Sequence, residues 1–137
     1  MIPKEIVIGN SGSDYVAIRP IQYGREDWLA AEVRIACGGW SGSLKTSFMK
    51  GELGSLAERL GILRKDFSAA AEFEPLERYI KLRFSGDGKG HIHVQGEAYS
   101  KFSIDTQLSF AFDIDQTYLR SIVDSLLGVE SAWKVLS

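Results

Sequence analysis

The sequence has few of the residues that most often build reactive or metal-binding sites. Its 137 residues include a single cysteine, Cys37, and two histidines, His91 and His93. A lone cysteine excludes an intramolecular disulfide bond. Cys37 ends an alternating apolar run that begins at Leu29, which places it on the apolar side of a predicted strand. We therefore expect a buried, inert thiol rather than a nucleophile.

The chain also lacks a surplus of charge and a long apolar run. Lys and Arg together number 16, Asp and Glu number 18, and the formal net charge is -2. Binding to phosphate backbones depends on clustered positive charge, so we expect no nucleic acid partner. No run approaches the roughly 20 apolar residues that span a bilayer, and the amino terminus lacks the apolar stretch of a signal peptide. These absences predict no membrane association and a cytoplasmic location.

Alternating hydrophobicity predicts strands in two blocks. Hydrophobic residues make up 45% of the chain and charged residues 25%, as in ordinary globular domains. A period of two is typical of strands with one buried face. In the first block the predicted strands are Glu5–Ile8, Tyr15–Ile21, Trp28–Cys37 and Leu44–Met49; in the second, alternation extends from Ala70 to Phe112.

Each block of strands is followed by apolar residues spaced three and four apart, which is typical of an amphipathic helix. The first predicted helix has its apolar stripe at Leu53, Leu56, Ala57 and Leu60. Gly61 is expected to end it. Asp115 is the predicted cap of the second helix, and Gly128 is expected to lie just past its end.

Strands that follow one another without helices between them indicate hairpin-connected, antiparallel pairing. We predict an α+β fold, with an antiparallel sheet of about six to eight strands and two main α-helices packed on one face. The predicted organisation is a single domain over residues 1–137. The two blocks are similar in plan but share no repeat of residues.

The two histidines are the strongest candidates for chemistry. Because they lie two residues apart on a predicted strand, both imidazoles point to one face, as a pair of metal ligands would. A metal site needs a third ligand, and the candidates are Asp87, Glu97 and Asp105. A solvated or partner-facing pair explains the same residues without a metal, and we predict no metal and no cofactor.

Other catalytic patterns are absent from the sequence. The glycine-rich stretch Gly86–Gly90 precedes a strand rather than a helix, so it predicts a hairpin turn and not a phosphate-binding loop. No Gly-x-Ser-x-Gly motif occurs, and a Ser/His/Asp triad would have to use His91 or His93. The carboxylates of Glu72, Glu74 and Glu77 are expected to be surface charge. We therefore predict that the chain is not an enzyme.

The polar side of the strands is the predicted binding surface. If the strands lie in one sheet, their polar residues form a broad surface of mixed charge opposite the core. Such surfaces suit recognition of a folded protein through charge complementarity and aromatic or arginine anchors. The predicted partner-binding residues are Trp28, Glu32, Arg34, Lys81, Arg83, His91, His93, Gln95 and Asp105.

Three segments together resemble the WapI-type bacterial immunity family: Gly38–Ser43, Asp87–Gly96 and Asp115–Leu119. The likeness extends from about Trp28 to Leu127. It implies a cytoplasmic antitoxin that binds and neutralises the carboxy-terminal toxin domain of a secreted polymorphic toxin, and it carries over no functional residue. A nuclease toxin is typically basic, and a chain of net charge -2 would need local acidic patches to attract it.

Two alternative functions stay open from the residues alone. One is a small metal-dependent or hydrolytic enzyme that uses His91 and His93. The other is a structural or ligand-binding domain.

Overall fold

The structure is a computed structural model that describes residues 5–100 and 106–136, with side chains as far as Trp133. In this part of the chain, four strands and a helix are followed by four more strands and a second helix. The elements are β1 (Ile6–Gly9), β2 (Tyr15–Tyr23), β3 (Trp28–Cys37), β4 (Trp40–Met49), α1 (Glu52–Lys65), β5 (Ala70–Phe73), β6 (Ile80–Gly86), β7 (His91–Tyr99), β8 (Gln107–Asp115) and α2 (Tyr118–Leu136). The predicted α+β fold is confirmed.

The strands are divided between two four-stranded sheets. Their orders are β1-β2-β3-β4 and β5-β6-β7-β8, and each strand pairs antiparallel with its neighbour in sequence. Each sheet is therefore a meander followed by one helix, so the same plan occurs twice. The strands therefore do not lie in one continuous sheet, which the predicted single binding surface required.

The core lies between the inner faces of the sheets and the two helices. Leu29 and Val33 on β3 are fully buried, as their alternation predicts, and Phe112 on β8 is also buried. Buried residues of both sheets and both helices form one contiguous cluster. Helix α1 packs against α2 and β5, and α2 packs against β1. Phe102 and Ile104, which belong to the alternation predicted from Ala70 to Phe112, lie outside the described residues.

Both helices continue past the glycines that were expected to end them. Helix α1 passes through Gly61 to Lys65, and α2 passes through Gly128 to Leu136. These two predictions are wrong because buried residues continue beyond each glycine: Leu63 in α1 and Trp133 in α2. Burial of a large apolar side chain stabilises by about 1.5–3 kcal/mol, which outweighs the roughly 1 kcal/mol that a mid-helix glycine costs.

Two glycine-rich turns join strands, and the one at Gly86–Gly90 was predicted. Gly38 and Gly39 have φ values of 60° and 87° and connect β3 to β4. Left-handed conformations at both central residues are typical of a two-residue hairpin and favour glycine. The stretch Gly86–Gly90 forms the turn between β6 and β7. Strand β4 starts at Trp40 rather than at the expected Leu44, because pairing with β3 extends through the polar segment next to the turn.

Neither helix in the described part of the chain has the length and apolar character needed to cross a membrane.

Candidate partner-binding surfaces

The predicted binding residues lie on the outer faces of two different sheets. Trp28, Glu32 and Arg34 alternate with the buried residues of β3, and we name them the first-sheet surface. A second group lies on β6 and β7, on the side of that sheet opposite the core. This second-sheet surface consists of Lys81, Arg83, His91, His93 and Gln95. Asp105 lies outside the described residues.

Ion pairs cross the strands of the first-sheet surface. Arg19 Nη2 lies 3.1 Å from Glu32 Oε1, and Arg34 Nη2 lies 2.9 Å from Glu5 Oε2. The bond with Glu5 raises the pKa of Arg34 above its ordinary value. Trp28 is half-buried at the start of the strand. Partly exposed pairs of this kind contribute little to stability, so these charges are available for recognition.

Ion pairs also organise the second-sheet surface. Arg83 binds Glu72 across β5 and β6, and Gln95 is the next residue in the same row. On the neighbouring pair of strands, His93 Nδ1 lies 2.7 Å from Asp113 Oδ1. Because His93 and Asp113 are directly opposed in the register, the sheet itself positions the pair.

The turn at one end of this surface fixes His91. Its Nδ1 lies 3.1 Å from Asp87 Oδ2, while Asp87 Oδ1 accepts the backbone N–H groups of Lys89 and His91 at 2.7 and 3.1 Å. The hydrogen bond from the Lys89 N–H is the main cause of a pKa of Asp87 below its ordinary value, with the His91 N–H adding to it. Asp115 is similarly lowered in pKa, chiefly by the backbone N–H of Thr117 that it accepts in the turn leading into α2.

The second-sheet surface is locally acidic. The exposed or half-exposed carboxylates on this face are Glu72, Glu74, Glu97, Asp113 and Asp115, whereas its lysine and arginine residues are Lys81 and Arg83. A chain with a net charge of only -2 therefore presents a patch with a clear negative excess. Such a patch attracts a basic partner over about one Debye length, near 10 Å at moderate salt.

Within residues 5–100 and 106–133, the two histidines have neither a group of metal ligands nor a hydroxyl partner beside them. No three of the described His, Cys, Asp and Glu side chains are placed to hold a metal ion together. Each histidine Nδ1 faces an aspartate, and in this part of the chain no hydroxyl group is hydrogen-bonded to either ring. The pairs therefore fix the orientation of two exposed imidazoles.

The three glutamates that were expected to be surface charge lie in separate surroundings. Glu72 pairs with Arg83, and Glu74 is exposed. Glu77 instead reaches the edge of β4, where its Oε1 accepts the N–H of Ser47 at 2.8 Å and the hydroxyl of Thr46 at 3.2 Å.

Cys37 is half-buried at the end of β3, so the expectation of full burial is not met. Its Sγ lies 3.3 Å from the carbonyl oxygen of Ala111 on β8, to which the thiol donates. The cysteine thus links the end of the first sheet to the second, because it lies where the last residues of β3 approach β8.

The sequence model of the Immunity protein WapI-like family matches residues 6–132. The chain belongs to this family. Membership supports an immunity function, a protein as the binding partner and a non-enzymatic role. The comparison with curated proteins finds no match.

Two solved structures are similar in their overall course. The Trypanosoma bruciei MRP1/MRP2 structure has a TM-score of 0.47 and 10% identity, and the alignment covers 95% of this chain and 86% of that one. The structure of the plant transcriptional regulator PBF-2 has a TM-score of 0.46 and 13% identity, with 100% of this chain and 90% of that one covered.

One exposed feature of this family member is not among the predicted binding residues. Trp40, at the start of β4, has 74% of its surface exposed. It borders a groove of about 530 Å³ between β4 and the adjoining ends of β7 and β8. Apolar residues of the groove include Leu44, Ala98 and Leu108. The sequence gives only a weak signal for the exposure of Trp40, namely a large aromatic residue next to Ser41 and Gly42. The hydrophobic pattern does not alternate in this segment, so it does not reveal which face is exposed.

Proposed function

We propose that this chain is a cytoplasmic immunity protein that binds the C-terminal toxin domain of a polymorphic toxin and neutralises it without catalysis. The match to the WapI-like immunity family over residues 6–132 carries the proposal. The two outer sheet faces support it, because each presents exposed charged side chains on a rigid, hydrogen-bonded framework. Rigid surfaces of this kind lose little conformational entropy on binding.

The acidic second-sheet surface supports a basic toxin domain as the partner. Complementary charge steers association and raises the association rate most at low salt. We expect binding to weaken as the salt concentration rises, and the charge-reversal variant Asp113→Lys to slow association more than dissociation.

The first step of the test is to identify a toxin domain encoded by the gene next to that of this chain. Expression of that domain alone should arrest growth, and co-expression of this chain should restore it. Titration of the purified toxin domain distinguishes binding from catalysis: a binder abolishes toxin activity only when equimolar, whereas an enzyme does so at far lower amounts. Growth arrest that co-expression does not relieve would refute the proposal.

The division of the predicted residues between two sheets allows each surface to be tested alone. Arg34→Glu changes the first-sheet surface, and Arg83→Glu changes the second. Each replaces one exposed ion pair with two like charges at the surface, so the free energy of unfolding should change only a little. Affinity for the toxin domain, measured by calorimetry, then shows which surface the domain contacts. Unchanged affinity in both variants would contradict the proposed surfaces.

A further inference from the structure

Strand β4 is an open edge of the first sheet. It pairs with β3 and has no second neighbouring strand in the described part of the chain. Along an edge strand, every second residue directs its backbone N–H and C=O away from the sheet. The direction is set at the hairpin, where Cys37 and Trp40 close a two-residue turn, so the odd-numbered residues of β4 face outward.

Half of this edge is covered by carboxylates. The outward N–H of Ser47 is accepted by Glu77 Oε1 at 2.8 Å, and that of Met49 by Glu52 Oε1 at 2.6 Å. Both residues are odd-numbered, in agreement with the direction set by the turn. Side-chain carboxylates thus take the place that a neighbouring strand would have at this end.

The other half of the edge is not covered in this way. In residues 5–100 and 106–136, the outward backbone groups of Ser41, Ser43 and Lys45 form no hydrogen bond with another group. They lie beside the groove that Trp40 borders. This half of the edge therefore offers a row of free donors and acceptors next to an apolar channel.

The groove matches the side chains of an added strand. Trp40 and Leu44 lie on the face of β4 that also carries the buried Phe48, and Leu108 faces them from β8. A strand placed about 4.8 Å beyond β4 would direct every second side chain toward these residues. The backbone row and the apolar wall together specify an extended polypeptide with apolar residues at alternate positions.

We propose that the edge of β4 at residues 41–45 binds an extended segment of the toxin domain, which joins the first sheet as a fifth strand. This inference rests on the proposed function. Main-chain hydrogen bonds would supply affinity, and the groove would select the alternating side chains. A second copy of this chain is a poorer occupant. If its β4 paired with this edge, its own β7 and β8 would have to fit beside the β7 and β8 that already line the groove.

The variant Ser43→Pro tests the proposal. Proline removes the outward N–H of Ser43 and leaves the bonds of β4 to β3 in place, as edge strands tolerate. Ser43→Ala is the matched control, because it removes the hydroxyl and keeps the N–H. We expect Ser43→Pro to weaken binding to the neighbouring-gene toxin domain by about tenfold or more, the equivalent of about 1.4 kcal/mol, while Ser43→Ala binds like the wild type.

Hydrogen exchange of the unaltered chain gives a second measurement that does not depend on how well the proline variant folds. The amides of Ser41, Ser43 and Lys45 should exchange quickly in the free chain and slowly in the complex. If the wild-type chain binds the toxin domain but these amides stay unprotected, the β4 site is refuted and the proposed function stands. If the wild-type chain does not bind, both fail. Protection of the same amides in a dimer of the free chain would assign the edge to a second copy and overturn the proposal.

Discussion

The aromatic ring of Phe110 lies directly over Gly96, its register partner on the neighbouring strand. A Cβ atom at Gly96 would overlap this ring. We therefore expect Gly96→Ala to destabilise the fold by about 1–3 kcal/mol, as overpacking of a filled core does. Chemical denaturation followed by circular dichroism measures the change.

Gly61→Ala is the matched control for Gly96→Ala. Gly61 lies within α1, and a Cβ there would meet nothing within 4 Å. Alanine should stabilise the helix at this position by up to about 1 kcal/mol. In a Phe110→Ala background, Gly96→Ala should lose most of its effect, since the ring that causes the overlap is gone. An equal effect in both backgrounds would contradict the contact.

Truncation of a side chain to alanine should have very different effects on the free energy of unfolding on the two faces of the second sheet. Phe110 has 9% of its surface exposed, and its ring is stacked 6.4 Å from that of Phe112. Phe110→Ala should therefore destabilise by about 3–5 kcal/mol. Gln95 is exposed on the outer face, so Gln95→Ala should change the unfolding free energy by about 0.5 kcal/mol or less. Thermal and chemical unfolding of both variants checks the assignment of the two faces.

Alternation located most of the strands and their buried faces, because period two directly reflects which side chains are covered. The bounds of β3, Trp28–Cys37, agree with those predicted. Helix ends were predicted less well. Gly61 and Gly128 look like stop signals locally, but packing beyond each glycine decides where the helix ends, and that packing is not visible in a local pattern.

The division into two sheets could not be predicted from the pattern. Both sheets contain the same antiparallel meander, and the sequence does not show whether β4 pairs with a strand of the second block. This is why Glu32 and Arg83 were assigned to one surface although they lie on different sheets. The open edge of β4 was missed for the same reason, since an edge is defined by pairing and not by residue type.

Glu130 of α2 should stabilise the start of α1. Its carboxylate accepts the N–H of Gly51 at 3.0 Å and the N–H of Gly54 at 3.1 Å, so it satisfies two of the donors that a helix leaves free at its N-terminus. We expect Glu130→Ala to destabilise by about 0.5–2 kcal/mol, as loss of an N-cap does. Glu58→Ala, an exposed change within α1, is the control and should have an effect within about 0.5 kcal/mol.

Asp87 should make the stability of the fold depend on pH in the acid range. Backbone N–H groups of Lys89 and His91 lower its folded-state pKa below its ordinary value of 3.8. A lowered pKa means that the carboxylate stabilises the fold fully above the unfolded value, and that this contribution is lost as the pH falls through the folded-state pKa. Asp87→Asn should therefore lose less stability than the wild type between about pH 5 and pH 2. Parallel denaturation curves for the two proteins across this range would contradict the assignment.

Tyr23 should make stability depend on pH in the alkaline range. Its hydroxyl donates to the carbonyl oxygen of Val129 at 2.8 Å. Burial, with the nearby charge of Glu130, raises the pKa of Tyr23 above its ordinary value of 10.0. The raised pKa predicts a contribution to stability that is complete below pH 10.0 and is lost as the pH rises through the folded-state pKa. At neutral pH, Tyr23→Phe should destabilise by about 0.5–1.5 kcal/mol through loss of the hydrogen bond. The difference in stability between the wild type and Tyr23→Phe should then shrink above pH 10.0.

Tyr118→Phe is the control for Tyr23→Phe, because the Tyr118 hydroxyl forms no hydrogen bond in the described part of the chain. A difference in stability between the wild type and Tyr23→Phe that stays constant with pH would refute the prediction.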